Sequence, residues 1–219
     1  MTVTIVGGYG QIARLMYPMF QENGHQCRGI IRDENQSQAL TELGVEPVVC
    51  DIEKVNDISD AVGKVDAVVF AAGAGPGSGA ERKWSVDRDG AIKLIEAAKS
   101  NDIQRYVMIS AMNLDQPRGS DVFQVYQKAK AEADNALRAS GLDYTIVKPG
   151  RLTDEAGTGL VNLDRNLERG EIPRQDIAAI IAEVLEDSDT IGLTFDALSG
   201  QTSIPDALKN LVENTPNTE

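Results

Sequence analysis

The chain has 219 residues, of which 42% are hydrophobic and 25% charged, enough for a sizeable core without help from disulfides or metal. Its 21 basic and 34 acidic side chains leave a net charge of −13, an acidic surface that repels phosphate backbones and excludes nucleic acid as an expected partner. No apolar run approaches the ~20 residues of a membrane span, and Met1 leads straight into strand-like sequence, so the expectation is a cytoplasmic protein with a small-molecule substrate and no membrane.

In chain order, β-branched runs occur at 2–6, 27–31, 45–49, 66–70, 105–109 and 143–147. Helical stretches separate them. The clearest, at 89–100, spaces Ile92 and Ile95 along one face, and another at 122–141 is rich in alanine and closes on Gly141. The strand runs are almost continuously apolar, as strands buried on both faces must be. Strand and helix alternating six times predict an α/β fold, a doubly wound and mostly parallel sheet with helices on both faces. After residue 150 a helix at 173–187, a strand at 191–198 and a last helix at 205–212 are expected. We read 1–212 as one domain whose residues from about 150 to 212 form a small substrate cap, and 213–219 as a flexible tail.

The turn after the first strand carries chemistry. It reads Gly7-Gly8-Tyr9-Gly10-Gln11-Ile12-Ala13. A tight turn needs a residue that tolerates positive φ, and a diphosphate approaching the backbone leaves no room for a Cβ. The N–H groups that open the next helix then face the anion along the helix dipole. A glycine phrase alone is weak, but one that follows a strand and opens a helix in an alternating α/β chain predicts a Rossmann dinucleotide site. The second strand ends Ile30-Ile31-Arg32-Asp33. Arg32, first out of the strand, would pair with a 2′-phosphate and favours NADP, whereas Asp33 would read ribose hydroxyls and favours NAD. Asp51, followed by Ile52, either accepts from the adenine amino group or caps the next helix. The fourth strand runs into a glycine-rich loop at 70–79, where Ala71, Ala72 and Gly73 would lie along the cofactor and Pro76 to Gly79 reads as mobile.

Ser110 stands just past the fifth strand, and Tyr126-x-x-x-Lys130 follows on one helix face. A nearby ammonium is expected to lower the tyrosine pKa, and a serine hydroxyl to polarise a carbonyl. With the glycine turn, Ser110, Tyr126 and Lys130, the stretch at 140–159 containing Tyr-Thr-Ile-Val-Lys-Pro-Gly resembles the atypical short-chain dehydrogenases/reductases. The nearest subset is the small bacterial NAD(P)H-binding proteins related to flavin and biliverdin-IXβ reductases. The resemblance implies an NAD(P)H-dependent reductase, with NADP(H) favoured over NAD because Arg32 is the first residue out of the strand, in which Tyr126 is the acid/base, Lys130 tunes it and holds the nicotinamide ribose, and Ser110 orients the substrate. It also implies that Pro149 and Gly150 lie beside the nicotinamide with Arg151 directed at the pocket, and that a homodimer forms through helices 89–100 and 122–139. Asp87 stands where the family has asparagine. Two other readings share the fold: a nucleotide-binding sensor without turnover, and a sugar-nucleotide epimerase or dehydratase, for which little chain remains after Pro149.

Other residues are weighed and set aside. His25 is the only histidine, so neither a catalytic triad nor a histidine metal cluster can be built, and it reads as solvated. Trp84 either stacks on a flat substrate or packs at a helix start. The acids in 152–159 read as loop capping with substrate-loop duty in preference to a cation site, and no metal is expected. Cys27 and Cys50 read as buried free thiols.

Overall fold

The computed structural model describes residues 1–75 and 77–215; Pro76 and the last four residues of the expected tail lie outside the described residues. The first half winds as β1 (Thr2–Val6), α1 (Gln11–Glu22), β2 (Gln26–Ile31), α2 (Ser37–Glu42), β3 (Glu46–Val49), α3 (Ser59–Val62) and β4 (Ala67–Phe70). The short helix α4 (Ala80–Arg82) runs through a π-helical turn, Lys83–Arg88, into α5 (Asp89–Ser100). Next come β5 (Arg105–Ile109), α6 (Asp121–Arg138) and β6 (Asp143–Pro149). The rest comprises β7 (Arg151–Thr153), β8 (Leu160–Asp164), β9 (Glu171–Pro173), α7 (Arg174–Glu186), β10 (Thr194–Ser199), β11 (Thr202–Ser203) and α8 (Ile204–Glu213).

Nine strands form one sheet in the order β11-β8-β10-β6-β5-β4-β1-β2-β3. The run from β3 to β10 is parallel, while β8 joins β10 and β11 antiparallel at the far edge. This is the doubly wound α/β sheet expected from the alternation. Strand side chains divide by parity between two cores. Val3 and Ile5 of β1 and Val69 of β4 pack with Ala13 and Tyr17 of α1 and Ile177 and Ile181 of α7. Val68 and Phe70 of β4 pack with Leu94 and Ala98 of α5 and Leu137 of α6. Because both faces are covered, the strands read as solid apolar runs.

Three expected strands and four helices after β4 fall within a few residues of where the sequence puts them. β8 is unexpected. Its pattern alternates, with Val161 and Leu163 buried between exposed neighbours, because only one of its faces meets the core. Residues past 150 therefore add strands to the main sheet as well as helices to its face. The π turn is also unforeseen, since nothing in its composition separates it from α-helix.

Candidate functional site

The turn after β1 shows which glycines the protein itself requires. Gly7 has φ of 85°, and a Cβ there would lie 2.7 Å from both Cα and N of Ala72, just past β4. Gly8 presses on β2, where a Cβ would come 2.7 Å from Gly29 Cα and 2.8 Å from the Tyr17 hydroxyl. That hydroxyl donates to the Gly8 carbonyl at 2.7 Å, a buried tie between α1 and the loop that the sequence reading missed. Burial holds the Tyr17 phenol well above its usual pKa, so it stays a donor. Gly10 differs. Its φ of −62° and ψ of 157° suit any residue. A Cβ there would meet only Gly7 O, at 3.0 Å, and Ala71 O, at 3.8 Å.

Helix α1 opens without a side-chain cap and without an acid in its first turn. Exposed Gln11 and half-buried Ile12 come directly after the turn, so an anion could take the free N–H groups. In front lies a cleft of about 340 Å³ at the carboxyl ends of β1 to β4. It sits where the strand order reverses, the usual ligand crevice of such sheets. Gly7, Tyr9, Gly10 and Arg32 line one part of it. Asp51, Ile52, Ala71, Ala72 and Gly73 line the other, so the structure brings these expected residues together. Gln36, Glu53 and Arg82 also line it and were not expected; Arg82 bridges the cleft's far side through a 2.6 Å pair with Glu53.

Arg32 and Asp33 now separate. The Asp33 carboxylate accepts from Asn35 N at 3.0 Å and from the Asn35 amide at 2.9 Å, capping the turn at 34–36. Arg32 is exposed on the cleft and makes no salt bridge or hydrogen bond among the described residues. Asp51 accepts from Glu53 N at 3.1 Å and pairs with Lys54 at 3.1 Å. Burial pushes its pKa up, but the Lys54 and Glu53 contacts outweigh it and leave the pKa below the usual value. Asp51 thus caps its turn and faces the cleft at once. The donors and the free guanidinium together fit a dinucleotide diphosphate.

Beyond the cleft, which ends at Gly75 and Val86, lie the expected reactive residues. Ser110 is 3% exposed, and its hydroxyl faces the Asp134 carboxylate without forming a hydrogen bond of full geometry. Lys130, also 3% exposed, donates to Ile109 O at 3.0 Å and lies 3.9 Å from Asp87 Oδ1. Asp87 is fully buried within the π turn, its Oδ2 accepting from Ala74 N at 3.2 Å. One turn past Lys130 on α6 is Asp134, buried as well. Burial lowers the Lys130 pKa against the pull of both aspartates. It raises Asp87 against the pull of Lys130, and Asp134 against Ser110 and Arg138.

Tyr126 is half-buried, its ring stacked 5.7 Å from Phe123 and 5.4 Å from the Lys83 ammonium. The expected pKa lowering by Lys130 is corrected here. Burial raises the phenol's pKa, and the charges of Asp87 and Asp134 raise it further. Lys130 turns to Ile109 O and Asp87, so its charge is spent on the carboxylate. Tyr126 is therefore a protonated donor in this state. Lys83, which donates to Gly75 O at 2.8 Å, holds the glycine loop beside it.

The remaining expectations fall away from the cleft. Pro149 is buried at the end of β6. Gly150 has no room for a side chain, since a Cβ would lie 2.3 Å from Leu198 Cδ2. Arg151 is exposed on β7 and pairs with Glu171 of β9, so it does not point into the pocket. His25 is tied down and not merely solvated: its Nε2 lies 2.8 Å from Glu186. Trp84 lies in the π turn under the Arg88 guanidinium, 4.6 Å away. In the acidic loop Asp176 accepts from Thr158 N and Gly159 N, and Asp154 pairs with Arg174; no metal-binding cluster exists among the described residues. Cys27 is a buried free thiol, whereas free Cys50 is half-buried on the cleft wall. No helix among the described residues is long and apolar enough to cross a membrane.

The chain is similar to known proteins over nearly its whole length. The model of the NAD(P)H-binding family matches residues 7–188. YhfK of Bacillus subtilis, named an uncharacterized sugar epimerase, is 39% identical over 214 residues, covering 96% of this chain and 100% of that one. A Bacillus halodurans structure titled provisionally as an NAD-dependent epimerase/dehydratase has a TM-score of 0.91 at 39% identity, covering 96% of this chain and 100% of its own. The oxidoreductase ylbE of Lactococcus lactis has a TM-score of 0.86 at 27% identity, with both chains covered in full, 100% and 100%.

Proposed function

This chain belongs to the NAD(P)H-binding family, and we propose that it is an NADP(H)-dependent oxidoreductase of the short-chain dehydrogenase/reductase type, acting on a small carbonyl or conjugated-ring substrate. One observation carries the choice of nucleotide. Asp33 spends its carboxylate on Asn35, while Arg32 faces the cleft uncommitted. A ribose-binding acid would have to be free, and a 2′-phosphate reader has to be cationic and free. Turnover is supported by the place of Ser110 at the carboxyl end of β5, where its buried hydroxyl has the Asp134 carboxylate nearby but no well-formed hydrogen bond. The bound nicotinamide supplies the hydride. Ser110 donates to the substrate oxygen, Tyr126 delivers a proton to it, and Lys130, anchored by Ile109 O and Asp87, fixes the helix face that carries Tyr126.

A second reading, a nucleotide-binding sensor without turnover, is favoured by one feature. Ser110 and Lys130 lie beneath the surface past the end of the open cleft. Titration calorimetry with NADPH and NADH on wild type and Arg32→Ala tests the nucleotide. We expect NADPH to bind in the micromolar range or tighter, and the substitution to weaken it roughly tenfold to a hundredfold toward the NADH value. Absence of binding by either nucleotide refutes the whole reading. A carbonyl, flavin and nucleotide-sugar screen with Tyr126→Phe as control then separates reductase, epimerase and sensor.

A further inference from the structure

A second arginine stands close to the cleft without an acid of its own. Arg14, in the first turns of α1, is exposed and forms no salt bridge among the described residues. Its guanidinium lies 4.9 Å from the centroid of the Tyr9 ring. Tyr9 in turn lines the same cleft as Arg32. The other charges around that cleft are committed: Arg82 to Glu53 at 2.6 Å, and Asp51 to Lys54 at 3.1 Å. Arg32 thus stands on the cleft wall, and Arg14 over the ring of a wall residue, without acidic partners among the described residues. Two cations so placed, one on the wall itself and one on its Tyr9, give that edge of the cleft a need for an anion. A phosphomonoester of nearly two negative charges meets that need, and a diol does not.

We propose that Arg14, stacked on Tyr9, is a second reader of the 2′-phosphate and closes over it from the α1 side while Arg32 holds it from β2. The proposal rests on the NADP reading above. The stack matters because a long arginine loses side-chain freedom on binding, and Tyr9 holds the guanidinium plane in advance. Tyr9 is 36% exposed, so its ring serves as a platform at the cleft mouth and not as core.

The test is titration calorimetry of 2′,5′-ADP and 5′-AMP, which differ in the 2′-phosphate and carry no nicotinamide, on wild type, Arg14→Gln, Tyr9→Ala and Arg32→Ala. Arg14 is exposed, so Arg14→Gln should fold, with melting temperature as the check. We expect Arg14→Gln to weaken 2′,5′-ADP about tenfold and to leave 5′-AMP unchanged, and Tyr9→Ala to reproduce part of that loss. Equal weakening of both ligands by Arg14→Gln, or no change in either, overturns the proposal. If Arg32→Ala removes the preference for 2′,5′-ADP while Arg14→Gln keeps it, the NADP reading stands and Arg14 has no part in it. If wild type does not distinguish the two ligands, the NADP reading falls and this proposal falls with it.

Discussion

The glycine turn divides into positions that the fold needs and a position that the ligand needs, and alanine at each separates them. At Gly7, a φ of 85° costs an L-residue about 1–2 kcal/mol. The new Cβ would also lie 2.7 Å from backbone atoms of Ala72, which cannot swing aside as a side-chain end could. Overpacking of that kind costs about 1–3 kcal/mol, so Gly7→Ala should lose roughly 3 kcal/mol in all. For a chain of this size that is a fall of about 6–12 °C in melting temperature. Gly10→Ala starts from φ −62°, where alanine is at home, and its Cβ needs Gly7 O to yield only a few tenths of an ångström. The gain from stiffening the unfolded chain and the loss of a glycine helix cap are each below about 1 kcal/mol and oppose each other. Its melting temperature should stay within about 2 °C of wild type. Its methyl, however, stands at the opening of α1 where a diphosphate must come close, so NADPH affinity should fall at least about tenfold. Differential scanning fluorimetry and calorimetry on the two variants measure both. Wild-type stability in Gly7→Ala, or wild-type NADPH binding in Gly10→Ala, would refute this division.

Two further outcomes rest on buried polar contacts. Tyr17→Phe leaves the Gly8 carbonyl without its 2.7 Å donor and should cost about 1–3 kcal/mol, read as a lower urea midpoint, together with weaker NADPH binding as the loop loosens. An unchanged midpoint would mean that water replaces the hydroxyl. Asp134 has its pKa raised above the usual 3.8, first by burial, so in the window above 3.8 the folded chain holds a proton that the unfolded chain has released. Its contribution to stability is therefore full below that value and is lost as pH rises through the raised native pKa. Asp134→Asn removes this loss, so its stability relative to wild type should grow as pH rises from about 4; urea midpoints at several pH values measure it, and a constant difference would refute it.

Much of the fold was legible because both faces of the central strands are covered. Runs such as Ala67–Phe70 are apolar at every position, and the 12 residues of α5 carry a helical stripe bounded by its neighbours' turns. β8 escaped because it packs on one side only, and Asn162 and the flanking charge hide a period of two behind a loop-like composition. In the site, positions fixed by backbone could be placed from spacing alone: the turn after β1, the end of β2 at Arg32, and the exit of β4 at Ala71 to Gly73 all reached one cleft. Side-chain direction could not. Adjacent Arg32 and Asp33 were indistinguishable until Asn35 claimed the acid. Arg151 follows the Pro-Gly step but lies on a strand whose pairing with β9 sends its guanidinium to Glu171. Tyr17 carried no signal because a tyrosine in an apolar helical stripe looks like core until its hydroxyl finds Gly8 O.

The same limit explains why Tyr126 was expected with a lowered pKa. Four residues of separation on α6 do bring Lys130 to the same face, but so do four more for Asp134, and the π turn delivers Asp87 to within 3.9 Å of the ammonium. An extra residue in that turn rotates the helix beyond it, and a wide turn inside a helix is a recurrent device for aiming a side chain inward. Burial first, and then the charges of Asp87 and Asp134, disfavour a phenolate, and the proton stays on Tyr126 until the site's composition changes. A cationic nicotinamide ring entering beside Tyr126 would supply the missing positive charge, and a neutral reduced ring would not. In the proposed reductase, the acidic character that Asp87 brings to this position would favour Tyr126 as a proton donor in the reductive direction and oppose it as a base in the absence of oxidised nucleotide.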